Sequence, residues 1–165
     1  MSLTNHPYRF VCDRDAFFRE NGDTIARLEN AVIEQVYAVW DCIDGAWFDD
    51  APMLVKTSAG TLSVHVKSET DIAVGWNDFS LSEKPVWFDE TDAGEIGSPG
   101  WVEDLEWKEY CAVSGICSER IRGIRFYAAG TGKNTGVGIG LVCHNGSCLW
   151  IYDAGDRIAA RVMEP

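Results

Sequence analysis

The chain offers few side chains whose type and spacing could do chemistry. The run Ala129-Gly-Thr-Gly-Lys-Asn-Thr135 has the glycines and lysine of a phosphate-cradling loop. Asn134, however, stands where such a loop needs a magnesium-binding hydroxyl, and Tyr127 is a misfit ahead of it. A strand rather than a helix should follow, so no helix N-terminus would face the anion. A loop between strands is the better reading.

Six cysteines, Cys12, Cys42, Cys111, Cys117, Cys143 and Cys148, include one pair spaced C-x5-C and one spaced C-x4-C. Zinc sites favour tighter pairs, so these thiols read mainly as small, reduced, buried apolar groups. Cys143 and Cys148 should face each other across a hairpin, close enough for a disulfide in an oxidising compartment. His6, His65 and His144 show no recognisable order with an acid and a nucleophile. Ser147 lies on a turn without a nucleophile elbow around it. No metal, cofactor or catalytic set is expected, and the chain does not read as an enzyme.

The informative chemistry is charge with aromatics. Residues 1–110 hold 22 acids and 8 bases, whereas residues 111–165 hold 4 acids and 6 bases. Within residues 87–110, eight carboxylates stand against Lys108 alone, interleaved with Trp87, Phe88, Trp101, Trp107 and Tyr110. A second cluster, Asp41, Asp44, Asp49 and Asp50, brackets Trp47-Phe48. Indoles anchor protein interfaces and clustered carboxylates steer basic partners. The expected partner-binding residues are Asp49, Asp50, Trp87, Asp89, Glu90, Asp92, Glu95, Trp101, Glu103, Asp104, Glu106 and Trp107. The plainer alternative is a solvated loop whose aromatics turn into the core.

The positioning elements are mostly strands. Asp13 should cap a short helix running to Glu20, with Asn21-Gly22 as a left-handed stop. Residues 30–40, rich in Val, Ile, Tyr and Trp, read as a strand. Two hairpins are clear: Met53-Leu-Val-Lys-Thr57 with Leu62-Ser-Val-His-Val66, and Ile139-Gly-Leu-Val-Cys143 with Cys148-Leu-Trp-Ile-Tyr152. Asn145-Gly146 suits a type I′ turn, which would set Cys143 opposite Cys148, Leu141 opposite Trp150 and Ile139 opposite Tyr152.

Sliding the chain by 86 residues lays 52–76 on 138–162 without a gap and superposes Gly60 on Gly146 and Ile72 on Ile158. The match points to a structural duplication, with residues 32–40 and 121–128 as matching lead-in strands; the plain alternative is that any two hairpins look alike. Lys56, Ser63, His65 and Lys67 should make one face of the first hairpin wet. Val142, Leu149 and Ile151 make both faces of the second dry, so it should lie mid-sheet. Gly136, Gly138 and Gly140 leave a bare strip for a close neighbour. The expected fold is α+β, mainly β: antiparallel hairpins in two similar halves, about 1–86 and 87–165, with two or three short helices in one domain.

With 165 residues, 46% apolar and 24% charged, the chain can build an ordinary globular core. A formal charge of −12 disfavours nucleic-acid and anionic-membrane partners. No apolar run approaches a membrane span and no basic-then-apolar start suggests export, so a cytoplasmic location is expected.

These features together resemble the small acidic immunity proteins of bacterial toxin–immunity systems, including those of contact-dependent inhibition. The likeness rests on strong acidity, abundant Trp, and the Gly60-Thr-Leu-Ser-Val64 and Gly138-Ile-Gly-Leu-Val142 strand units. It implies a non-catalytic cytoplasmic inhibitor that binds a basic toxin domain, often a nuclease, and carries over no catalytic residue. The alternative is a small-ligand binder or enzyme with a pocket between the halves, beside the glycine strip. Oligomeric state is left open.

Overall fold

The computed structural model describes residues 8–67, 69–85, 104–128, 136–155 and 157–165. Helix α1 (Arg14–Glu20) starts where expected: the Asp13 carboxylate accepts from the Ala16 N–H at 2.8 Å. Its end differs from expectation. Asn21 has φ −114, and a second helix, α2 (Gly22–Leu28), follows at once. The Phe17 carbonyl accepts from both the Asn21 backbone N–H, at 3.1 Å, and the Asn21 side-chain amide, at 2.9 Å, so the helix end is held without a left-handed residue.

Ten strands follow among the described residues: β1 (Ile33–Asp41), β2 (Ala46–Trp47), β3 (Met53–Thr57), β4 (Gly60–Val66), β5 (Ile72–Trp76), β6 (Leu105–Glu109), β7 (Ile121–Tyr127), β8 (Gly138–Cys143), β9 (Cys148–Asp153) and β10 (Ile158–Met163). A 3-10 segment, Cys111–Ile116, lies between β6 and β7. All pairings are antiparallel and form two sheets, β2-β1-β3-β4-β5 with β6 added on β1, and β7-β8-β9-β10. Tyr37 pairs with both Leu54 and Glu109, and Trp40 with both Trp47 and Glu106. A strand has two edges, so β2 and β3 share one edge of β1 and β6 takes the other.

The inner faces of the sheets meet in one apolar core. Val36, Val55, Leu62 and Val64 oppose Ile139, Leu141, Leu149 and Ile151, while Phe17 and Leu28 close it from the helices. The mainly-β fold in two similar groups of strands is as expected. The second hairpin, β8–β9, lies mid-sheet with both faces buried. Among the described residues no helix is long and apolar enough to cross a membrane.

The likeness of the two groups extends to individual hydrogen bonds. Val32 bridges Arg120, and around that bridge the bonds come in matched pairs. Asn30 N–H donates to the Ile121 carbonyl at 2.8 Å, and Ser118 N–H to that of Ile33 at 2.7 Å. Ser58 N–H donates to Val32 and His144 N–H to Arg120, both at 2.9 Å. Asn30 and Ser118 share a left-handed backbone, φ 67 and 75. The β1–β3 ladder bulges between Ile33 and Gln35, as β7–β8 does between Ile121 and Gly123. An approximate twofold therefore passes through the Val32–Arg120 bridge.

The gapless slide of 86 holds only up to the turn. Of the Asn145-Gly146 pair only Gly146, at φ 93, is left-handed. Asn145 accepts from the Ser147 N–H at 2.9 Å through its own side chain, which fixes an ordinary turn followed by a bulge instead of type I′. Cys143 N–H then reaches the Ser147 carbonyl at 2.8 Å, and Val142 pairs with Cys148, Leu141 with Leu149 and Gly140 with Trp150. A one-residue change of register reverses faces. Cys143 enters the core while Cys148, Trp150 and Tyr152 face outward. The expected Cys143–Cys148, Leu141–Trp150 and Ile139–Tyr152 partnerships do not form, and the two thiols cannot bridge. Leu62 is thus the counterpart of Leu149, not of Cys148.

Two further expectations are corrected. The first hairpin's second face is wet only at its ends, Lys56 and Lys67: Ser63 and His65 are 0% and 8% exposed, covered by Tyr8, Asp78 and Phe79. The cysteines are not mostly buried either, since Cys12, Cys42 and Cys111 are exposed. The glycine strip does admit close neighbours, as expected: the Trp150 ring lies over Gly138, and Tyr127 and Cys148 crowd Gly140.

Candidate functional site

The acidic end of the first sheet is built by the β1–β2 hairpin. Asp41 is buried, and its carboxylate accepts from the backbone N–H groups of Ile43 and Asp44 at 2.7 and 3.1 Å. Gly45, at φ 64, completes the turn. This lifts Cys42, Ile43 and Asp44 into solvent, and Ile43 is 71% exposed. The Cys42 N–H donates to the Asp104 carbonyl at 2.9 Å, which ties the tip to the start of β6.

Asp104 and Glu106 are exposed beside that tip. Lys84 reaches Asp104 at 2.7 Å, and this hydrogen bond holds its ammonium above the ordinary lysine value. The Cys42 thiol is also held up, by desolvation first and then by the carboxylates of Glu106 and Asp104. An apolar side chain rimmed by carboxylates is thus presented on a hydrogen-bonded scaffold.

The other expected partner-binding residues divide. Trp87, Asp89, Glu90, Asp92, Glu95, Trp101 and Glu103 lie outside the described residues, as does the glycine-rich run 129–135. Trp107 is half-buried, stacked edge-on against Phe79 at 5.5 Å in a small cluster with Val39, Ala51 and Leu105. Asp50 is exposed. Asp49 is half-buried and belongs to a different feature.

That feature is a cavity of about 300 Å³ between the two sheets. Trp47 lines it from the end of β2 and Phe48 just after it, Met53 from β3, Tyr110 after β6, Arg157 from the β9–β10 turn and Ile158 from the start of β10. Local bonds fix each wall. Phe48 N–H donates to Val39 at 2.9 Å, Tyr110 N–H to Val36 at 2.8 Å, and Ile158 N–H to the Asp49 carbonyl at 3.0 Å. The buried Asp153 carboxylate accepts from Gly155 and Arg157 N–H at 3.0 and 3.2 Å, which shapes the loop that carries Arg157.

Inside, Trp47 and Tyr110 meet edge to face at 5.1 Å, and Trp47 continues the aromatic row to Trp40 at 5.0 Å. Lys108 Nζ sits 3.9 Å over the Trp40 ring. Arg157 pairs with Asp49 at 3.6 Å. Burial, then Tyr152 and Asp49, push the Tyr110 phenol up. The expected pocket between the halves is therefore present, but away from the glycine strip, which aromatic side chains fill.

On the outer face of β4 the structure joins residues that the sequence left apart. Ser63 Oγ and Tyr8 Oη both donate to Asp78 Oδ2 at 2.8 Å, and His65 Nε2 lies 3.2 Å from Ser63 Oγ. Ser63 commits its one proton to Asp78, so His65 donates to it. A nucleophilic relay needs histidine between acid and serine. Here serine stands between them and is fully buried, so the set is a structural network. Burial lowers the His65 pKa to about 3.

Sequence reasoning missed Ile43 and Arg157. Ile43 had a signal: Asp41 and Gly45 bracket it as turn residues and leave residues 42–44 at a tip. Arg157 had none, because it meets Asp49 only through the folding of two sheets. Comparison with protein-family models, with curated proteins and with solved structures returns no match.

Proposed function

We propose that the protein is a binding protein that neutralises a basic protein partner, in the manner of a cytoplasmic immunity protein facing a toxin domain. The observation that carries this reading is the β1–β2 tip: Ile43, 71% exposed, stands between exposed Asp44 and Cys42, whose N–H donates to the Asp104 carbonyl and whose thiol lies in the field of the Glu106 and Asp104 carboxylates. An apolar anchor gives a desolvated contact, and a rim of one charge steers the partner and sets orientation. The net charge of −12 adds long-range attraction toward a cationic domain. Docked over a cleft that receives phosphates, such a surface would occupy the place of the substrate.

The test uses immobilised protein and extract from cells that carry its gene. The reading predicts salt-sensitive capture of a basic protein, lost when Asp104 and Glu106 are both replaced by Lys and weakened by Ile43→Asp. Capture unaffected by these changes would remove the tip from the interface. A second reading, a small-molecule binder, is favoured by the cavity at Trp47 and Tyr110. It predicts a ligand that protects the fold against heat without any protein partner.

A further inference from the structure

We infer that the cavity between the two sheets is a receptor for one guanidinium side chain of the basic partner. This rests on the reading above and names the chemistry the partner brings to Asp49. The cavity, at about 300 Å³, is at the small end of ligand pockets, which run from about 300 to 1,000 Å³. It has room for a single side chain or a small molecule.

Its walls suit a planar cation. Trp47 and Tyr110 both line it and pack edge to face on each other at 5.1 Å, so a cation would lie against the free face of one ring and not between the two. The Asp49 carboxylate, with the side chain 33% exposed, lies at the same cavity. Aromatic faces joined to one acid are how proteins hold organic cations. The same aromatic row already carries one, since Lys108 Nζ lies 3.9 Å over Trp40.

A guanidinium is favoured over an ammonium because it stacks flat, sheds water more readily and pairs with a carboxylate through two bonds. The chain itself supplies the precedent. Arg157 lines the cavity and approaches Asp49 by a single contact at 3.6 Å, looser than the 2.7–2.9 Å of a tight charged hydrogen bond. Arg157 thus occupies the acid only loosely, and an entering arginine with bidentate geometry displaces it. The internal pair keeps Asp49 compensated until the partner arrives.

The test needs no partner. Isotopically labelled protein is titrated with N-acetyl-arginine N-methylamide and with the citrulline analogue, a neutral isostere, while the Trp47 indole N–H is followed by NMR. The arginine probe should shift that signal saturably with an affinity on the order of millimolar, about tenfold or more tighter than citrulline. Asp49→Asn should weaken the arginine probe about tenfold, and Arg157→Gln, which removes the competitor, should tighten it severalfold.

Equal responses to both probes, no saturable shift, or no tightening in Arg157→Gln would overturn the proposal. Because one variant loses binding and the other gains it, a general loss of structure cannot mimic the expected pattern. If the probe fails while salt-sensitive capture of a basic protein persists, the receptor is wrong and the neutraliser reading stands. If the probe binds but no basic protein is captured, a guanidinium site exists without a protein donor, and the proposal falls with the function it rests on.

Discussion

The carboxylate of Asp78 lies directly over Gly75. A Cβ at residue 75 would overlap Asp78 Oδ2 and come within 2.6 Å of Ser63 Oγ. The missing side chain is what lets Asp78 fold back across β5 to accept from Ser63 and Tyr8, each at 2.8 Å. Without that return, Ser63 and His65 would face water, as the alternation along β4 leads one to expect.

Gly75→Ala should therefore displace the carboxylate and strip Ser63 of its acceptor. The expected loss is about 2–3 kcal/mol, from overpacking and an unsatisfied buried hydroxyl. Gly123→Ala, on a strand where a Cβ meets nothing within 4 Å, is the control and should change stability by less than about 0.5 kcal/mol. Urea unfolding of both variants checks the contrast. Equal effects would mean that the space over Gly75 is not needed for the network.

Acid should weaken the fold through His65. Its folded pKa, about 3, lies below the 6.5 of an unburied histidine, and burial is the cause. The neutral form is therefore favoured in the fold. This contribution is complete above pH 6.5 and is lost as the pH falls toward 3. The decline approaches about 1.4 kcal/mol per pH unit below the unfolded value. The readout is the stability of the protein minus that of His65→Gln, which keeps a donor for Ser63 but does not titrate in this range. A difference that stays flat from pH 7 to 4 would contradict the buried neutral assignment.

Cys42 reports the field at the acidic tip. Its thiol is exposed but disfavoured as thiolate, first by desolvation and then by Glu106 and Asp104. Glu106→Lys should lower that pKa and speed alkylation of Cys42 by neutral iodoacetamide about two- to fivefold near pH 8, since the thiolate is the nucleophile. Peptide mapping separates Cys42 from exposed Cys12 and Cys111. An unchanged rate at Cys42 would mean that the carboxylates do not shape the potential there.

Much of the fold was legible because its signals are local. Asp13 caps α1, the Val- and Ile-rich run makes β1, and both hairpins stand where alternation and turn residues put them. The errors came where a side chain outbid a backbone preference. Asn145 spends its carbonyl on Ser147 and so avoids the left-handed region, and this moves Cys148 and Trp150 to the outer face. Asp78 covers Ser63 from 15 residues away, a distance that alternation along one strand cannot register. The candidate site was legible as composition, an acidic stretch with indoles. Its geometry was not, because Cys42 meets Asp104 and Asp49 meets Arg157 only after β6 joins β1 and the second sheet closes on the first.

The most direct measurement is the rate at which the protein associates with the basic partner it captures, followed from low to high salt. For the unaltered chain the rate should be fast at low salt and fall by more than about tenfold as salt screens the carboxylates. Replacing Asp104 and Glu106 by Lys should slow it at low salt and flatten the dependence. A rate indifferent to salt, or equal in the two proteins, would contradict the claim that the acidic tip of the first sheet receives a cationic protein.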